Sequence, residues 1–240
     1  MTKEKLASMI DQTLLSATAS EEDVKAFCEN AKKYKFASVC INPVYVKLAE
    51  KILKGSKTKV CTVIDFPLGS GGINIKTKSA SCAIKDGAEE VDVVVDIAKV
   101  KMHDWSNLEN EMKKFTACAQ TASDKRKSSS KRVLTKVILE TCYLTDEEIS
   151  EASKCAKRAG FDFVKTSTGF AILKEKDGML LPNGATINAV KIMRAAVGKK
   201  MGVKASGGIH STKEALDLIE AGATRIGASS GVQIVDGFTE

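Results

Sequence analysis

The sequence predicts an α/β protein: a single (β/α)8 TIM barrel with a short N-terminal helix, spanning residues 1–240 as one domain. Three observations point there. A helix-to-strand junction recurs three times, eight short β-rich stretches alternate with helical patterns, and 240 residues is a length that such barrels commonly have. A doubly wound open sheet is the second choice. The strand count and the lack of an early GxGxxG fingerprint weigh against it.

At each junction a helical run ends in glycine and a β-rich stretch follows. Cys82-Ala83-Ile84-Lys85-Asp86-Gly87 leads into Glu90-Val91-Asp92-Val93-Val94-Val95, and Cys155-Ala156-Lys157-Arg158-Ala159-Gly160 into Phe161-Asp162-Phe163-Val164-Lys165-Thr166. The third runs from Leu218-Ile219-Glu220-Ala221-Gly222 into Arg225-Ile226-Gly227-Ala228-Ser229. Glycine takes the left-handed backbone that closes a helix, so this is the punctuation of βα units. Helix starts are legible too. Ser20-x-x-Asp23, Thr145-x-x-Glu148 and Ser211-x-x-Glu214 each precede an apolar stripe at helical spacing. In each, a hydroxyl and a carboxylate can satisfy free N–H groups of the first turn. Strands are expected at 9–13, 37–42, 59–65, 90–96, 132–140, 161–167, 201–206 and 225–229, spaced for right-handed crossovers.

A composition of 43 % hydrophobic and 28 % charged residues supports a full core and excludes a disordered or fibrous chain. Net charge is +7, with 32 of the 37 basic residues being lysine, but cations and acids are interleaved. That pattern argues against a nucleic-acid partner, which calls for clustered cations. The one dense run, Lys125-Arg126-Lys127, three serines and Lys131-Arg132, reads as a solvated loop before a strand. Seven cysteines with no CxxC spacing read as reduced, buried thiols of a cytoplasmic protein. The charged start, Met1-Thr2-Lys3-Glu4-Lys5, is unlike a signal peptide, and no apolar run is long enough for a membrane span. His103 and His210 belong to no ligand-spaced motif, so no metal site is expected.

Barrel strands are covered on both faces, so charges inside them need a reason. Asp92 shares a strand face with Glu90 and Val94, Lys165 with Phe161 and Phe163, and Lys204 with the small Gly202 and Ser206. Lys136 and Glu140 share a face with Leu134 and Ile138. Any one of these could be a strand-end charge or part of a structural ion pair. Two lysines and an aspartate near the C-terminal ends of three strands, where the active sites of this fold lie, point instead to function. Their shared chemistry is Schiff-base catalysis. A free lysine titrates near 10.4, and a nucleophilic one needs a pKa roughly three units lower, about 4 kcal/mol. A second ammonium about 4 Å away supplies roughly that much at an effective dielectric near 20. A carboxylate can move the protons, and no metal or dissolved cofactor is required. Gly207-Gly208 and Gly227-Ala228-Ser229-Ser230 follow the last two strands, where barrels of this type hold phosphate on backbone N–H groups. Thr166-Ser167-Thr168-Gly169 could add donors.

These residues resemble the deoxyribose-phosphate aldolase family, class I aldolases on a (β/α)8 barrel. The resemblance runs from Ile10-Asp11-Gln12-Thr13-Leu14-Leu15 to Gly227-Ala228-Ser229-Ser230. Its most specific pieces are Glu90-Val91-Asp92-Val93-Val94, Phe163-Val164-Lys165-Thr166-Ser167-Thr168-Gly169 and Val203-Lys204-Ala205-Ser206-Gly207-Gly208-Ile209. It implies reversible cleavage of 2-deoxy-D-ribose 5-phosphate to D-glyceraldehyde 3-phosphate and acetaldehyde. It also implies Lys165 as the Schiff-base lysine, Lys204 as its activating partner and Asp92 as the proton donor and acceptor. The phosphate is expected among Gly169, Gly207, Gly208, Gly227, Ser229 and Ser230. Partners are then small phosphosugars and aldehydes, and a homo-oligomer, dimer or tetramer, is compatible with the fold.

The chain departs from the family pattern in places. Gln12 stands where His is common, Asp65 where Gly or Asn is usual, Cys142 where Gly is usual, and His210 where Arg is frequent beside the phosphate loop. No tyrosine follows Tyr143, so a C-terminal Tyr like that of some members cannot assist. Cys40 matches a family cysteine near the substrate but reads as a small buried thiol. Two insertions are expected: the basic stretch 123–132 on the side away from catalysis, and roughly Leu173–Asn183 at the catalytic face. Two other readings stay open: a Schiff-base barrel lyase or transaldolase for a different phosphosugar, and a silent sugar-phosphate-binding barrel. The intact Asp92, Lys165 and Lys204 set argues against the silent barrel.

Overall fold

The computed structural model describes residues 1–126, 132–174, 180, 181 and 183–239. Eight parallel strands close into a ring: β1 (Ile10–Leu14), β2 (Ser38–Ile41), β3 (Lys59–Ile64), β4 (Glu90–Val94), β5 (Leu134–Ile138), β6 (Phe163–Lys165), β9 (Gly202–Ser206) and β10 (Arg225–Ala228), which pairs back to β1. A two-stranded antiparallel hairpin, β7 (Leu173–Lys174) and β8 (Leu180–Leu181), is inserted after β6. It falls in the expected catalytic-face insertion, of which 175–179 and 182 lie outside the described residues. So do residues 127–131 of the basic stretch. That stretch joins α6 (Trp105–Asp124) to β5 and so enters the barrel at the N-terminal ends of the strands, away from the catalytic mouth. Its described ends are spent on protein contacts: Arg126 donates to the Ala88 carbonyl at 2.7 Å, and Arg132 pairs with Asp162.

Seven of the eight strands lie within their expected ranges with shorter ends, and β1 is shifted on by one residue, to 10–14 from 9–13. Asp96 lies beyond β4 and instead caps α5 (Ile97–Lys101), accepting from Lys99 N. All three expected helix starts are reciprocal capping boxes: Ser20 with Asp23 on α2 (Glu21–Tyr34), Thr145 with Glu148 on α7 (Asp146–Arg158) and Ser211 with Glu214 on α9 (Thr212–Glu220). The junction glycines Gly87, Gly160 and Gly222 have φ of 119°, 81° and 119°. That backbone is one a side chain disfavours. The short N-terminal helix, α1 (Lys3–Ala7), buries Leu6 and Ala7 and packs near α10 (Gly231–Asp236). No helix among the described residues is long and apolar enough to cross a membrane.

Strand alternation sorts the barrel into two unlike layers. Val39, Val91, Val137, Val164, Val203 and Ile226 are buried in the large apolar core. Alternate positions on four of these strands carry Glu90, Asp92, Lys136, Lys165 and Lys204, and β1 adds Asp11, all buried. A second, small apolar cluster contains Leu15, Cys40, Cys61 and Val63, with Phe66 against it. The barrel's centre is therefore ionic. Its lower part depends on a size match, because Phe163 faces Gly202 across the β6–β9 ladder. A Cβ on Gly202 would lie 2.2–2.5 Å from three Phe163 ring carbons. Gly202→Ala should lower stability by about 1–3 kcal/mol through overpacking, read as a shifted urea midpoint with an unchanged slope.

Candidate active site

Four strands bring one carboxylate and three lysines together. In the ladders Asp92 is paired with Lys136 across β4–β5, and Lys165 with Lys204 across β6–β9. Asp92 is the centre. Its Oδ1 accepts from Lys136 Nζ at 2.8 Å, and its Oδ2 accepts from Lys165 Nζ at 3.2 Å and Lys204 Nζ at 2.8 Å. The structure thus unites all three residues singled out as catalytic.

It also adds residues that the sequence reading missed. Asp11, on β1, contacts Lys204 at 2.5 Å, Arg225 at 2.5 Å and Lys136 at 3.7 Å. Glu90 contacts Lys136 at 2.5 Å and Arg225 at 3.2 Å, and the Arg225 guanidinium lies over the Phe163 ring. Lys136 is visible in the sequence as a strand lysine, but its own strand does not show its partners. Asp11 follows the apolar Met9-Ile10 in an expected strand, so the criterion that found Asp92 applied to it as well.

The electrostatics follow from these contacts. Burial would raise the Asp92 carboxyl pKa, but Lys136, Lys204 and Lys165 outweigh it and hold Asp92 well below the usual range. Burial likewise works against Asp11, and Arg225, Lys204 and Lys136 reverse it to a lowered value. For Lys204, burial favours loss of the proton, yet Asp11 and Asp92 raise its pKa. Lys136 is raised as well, by Asp92, Cys61, Glu90 and Asp11 against the same burial. Carboxylates shifted down contribute stability above their unfolded pKa and lose it only as pH falls far below 3.8. Lysines shifted up contribute below 10.5 and lose it only well above that. Across the neutral range these four groups keep their charges.

Above them is a cavity of about 390 Å³ whose lining includes Lys165, Thr168, Gly169, Phe170, Ser206 and His210. Of the residues expected to hold phosphate, Gly169, Gly207, Gly208, Gly227 and Ser229 line it. Ser230 does not: it is set back at the start of α10, 3.4 Å from His210 Nδ1. Gly227 also has another task. A Cβ there would lie 2.8 Å from Lys204 Cε, so its missing side chain is the room that Lys204 occupies. Gln12 braces the last loop from below, donating to the Ser229 carbonyl at 3.1 Å and accepting from Gly231 N at 3.0 Å.

Two cysteines distant in sequence also meet here. Cys40 and Cys61 are ladder partners across β2–β3, and their sulfurs and an Asp92 oxygen lie within 4.8 Å of one another. The sequence, read without register, showed no such cluster. A cation held there would compete with three ammonium groups for Asp92, which makes the set a poor metal site. Burial raises the Cys61 thiol's pKa, and it donates to Asp92 Oδ1 at 3.3 Å.

A closed barrel with an ionised lysine–carboxylate cluster beneath a glycine-walled cavity at its C-terminal mouth defines a barrel enzyme. The profile described as DeoC/LacD family aldolase matches residues 5–236, and the chain belongs to that family. It is 47 % identical over 231 residues to a deoxyribose-phosphate aldolase of Caldanaerobacter subterraneus, covering 96 % of this chain and 92 % of that one. It is 46 % identical to one of Clostridium perfringens, covering 99 % and 97 %. The solved deoxyribose phosphate aldolase of Aeropyrum pernix, described as a unique tetramer, is 33 % identical with a TM-score of 0.83, covering 98 % of this chain and 91 % of that one.

Lys136 holds the cluster together without lining the cavity. Lys136→Met should cost about 3–5 kcal/mol of stability, because it takes one cation from each of three buried carboxylates, Asp11, Glu90 and Asp92. Chemical denaturation at neutral pH measures it.

Proposed function

We infer that this chain reversibly cleaves 2-deoxy-D-ribose 5-phosphate to D-glyceraldehyde 3-phosphate and acetaldehyde, through a Schiff base on Lys165. One observation carries the chemistry: Lys165 and Lys204 share a single oxygen of Asp92 at the floor of the cavity. The relatives' names support the substrate.

The uncharged amine of Lys165 adds to the C1 aldehyde of the open-chain sugar, and loss of water leaves an iminium. As the C3 hydroxyl gives up its proton, the C2–C3 bond breaks and its electron pair enters the iminium, leaving an enamine. Glyceraldehyde 3-phosphate departs. Protonation of the enamine carbon and hydrolysis then release acetaldehyde and the free amine. The iminium is the electron sink, so no step calls on a metal or dissolved cofactor.

Lys204, held cationic by Asp11 and Asp92, stands beside the nucleophile, where its charge opposes a second positive charge. Asp92 orients both amines. With Lys165 uncharged for attack and as the carbinolamine, Asp92 keeps two ammonium partners, Lys136 and Lys204, and its affinity for a proton is higher while protons must move. The sugar phosphate lies against the backbone of Gly207, Gly208 and Ser229, with Gly169 and Gly227 completing the wall and Ser230 acting from behind through His210.

Borohydride reduction in the presence of acetaldehyde should leave a two-carbon adduct on Lys165, found by peptide mapping. A label elsewhere, or none, overturns the assignment. For Lys204→Leu, the rate of adduct formation should collapse at neutral pH and partly recover at alkaline pH. An unchanged pH profile removes Lys204 from the activating role.

A further inference from the structure

Glu140 is a buried carboxyl that the mechanism above does not use. It lies two residues beyond β5, at the catalytic mouth, and is 1 % exposed. Its backbone has φ of 55°, the left-handed region where a residue with a Cβ costs roughly 1–3 kcal/mol and persists only if its surroundings hold it. The neighbouring chain supplies that hold. Leu139 N donates to the Lys165 carbonyl and Thr141 N to the Thr166 carbonyl, both at 2.9 Å. The strand end on either side of Glu140 is thus tied to β6 and its continuation.

The side chain then reaches Thr168 on the neighbouring loop, besides accepting from the Cys142 thiol at 3.7 Å. Both Glu140 oxygens lie 3.2 Å from Thr168 N, and Oε2 also accepts from the Thr168 hydroxyl. The same hydroxyl oxygen accepts from Phe170 N at 3.0 Å. Thr168 is therefore held by backbone and side chain together, and the chain beyond it is tied to the same point. Gly169, the next residue, lies beside Gly207: a Cβ on Gly207 would be 3.5 Å from Gly169 Cα. Thr168, Gly169 and Gly207 all line the cavity.

We propose that Glu140 is a positioning residue that clamps the Thr168–Gly169 turn against Gly207 and so shapes the anion-holding wall, acting through Thr168 and not on the reacting carbon. What the wall holds rests on the function inferred above. The strained backbone fits the role: with Glu140 in the left-handed region, its carboxylate meets the Thr168 amide and hydroxyl at once.

The test titrates the full-length protein, labelled with ¹⁵N, with inorganic phosphate while following the Gly169 and Gly207 amides. The wild type is compared with Glu140→Ala, Glu140→Gln and Thr168→Val. Phosphate should bind Glu140→Ala about tenfold more weakly, the loss expected when hydrogen bonds to a charged acceptor are removed. Glu140→Gln should stay within about threefold of wild type, since its amide still accepts from Thr168 N and can donate to the hydroxyl. In turnover, Glu140→Ala should raise KM for the phosphosugar about tenfold and leave acetaldehyde trapping on Lys165 within about threefold. Equal phosphate affinity in all variants, no phosphate response at Gly169 and Gly207 in the wild type, or a matching loss of trapping in Glu140→Ala overturns the proposal. If Glu140→Ala does not fold, Thr168→Val tests the same clamp from its other half and should also weaken phosphate binding. The titration does not depend on aldol cleavage. A wild type that binds phosphate there without cleaving deoxyribose phosphate overturns the functional reading, and the variants still decide the clamp.

Discussion

Three lysine amines converge on the buried Asp92 carboxylate, and much of the molecule follows from keeping them there. Moving any of these ions out of water costs several kcal/mol, recovered only while the partners stay in place. Asp11 and Glu90 supply the remaining negative charge, and Arg225 spans them from below. The strand register is bound to this cluster. Asp92 must lie beside Lys136, and Lys165 beside Lys204. A slip of one residue would turn the charges into the valine layer and the valines into the centre. The outer apolar layer and the inner ionic one thus specify the same register from opposite faces.

Floor and wall are built from different materials. The floor is made of long side chains from β4, β5, β6 and β9, each locked by ion pairs. The wall is backbone: the loops after β6 and β9 and the end of β10 supply glycines at close approach, and Gly184 packs so tightly on Gly207 that a Cβ there would be 2.5 Å from the Gly207 carbonyl oxygen. Hydroxyls stitch the seam between the two loops, with Ser206 donating to the Ser167 carbonyl at 2.7 Å and Thr166 to the Ser206 carbonyl at 3.1 Å. Gln12 does the same for the third loop. Long charged chains suit a covalent step that needs fixed amines, and bare backbone suits an anion that needs several N–H groups at once.

The sequence made the barrel and the three central residues legible because both leave signals along a single strand or helix. Capping pairs and junction glycines are local, and a lysine amid valines is conspicuous whatever its partners. The rest depends on which strands become neighbours. Asp11 and Arg225 are 214 positions apart and meet because β10 closes the ring against β1. Cys40 and Cys61 become a pair only through the β2–β3 register. Gly227 reads as a loop glycine, and nothing near it in the chain says that Lys204 needs its space. Ser230 resembles Ser229 in sequence, yet the turn into α10 puts one on the cavity and the other behind it.

The two mouth lysines differ in their access to the cavity and in their partners. Lys165 lines the cavity and Lys204 does not, which favours Lys165 as the nucleophile of the proposed reaction. The charge balance agrees. Four cations, Lys136, Lys165, Lys204 and Arg225, face three carboxylates, Asp11, Glu90 and Asp92, and the cluster is neutral when one amine is uncharged. Lys136 contacts three of those carboxylates and Lys204 two, whereas Lys165 contacts only Asp92, at the longest of that residue's three lysine distances. Lys165 thus has the fewest carboxylate contacts of the three lysines, and it is the amine that the cavity exposes. The same pairing explains why Lys204 is poorly placed to exchange roles with its neighbour: Asp11 holds its charge from the side away from the substrate.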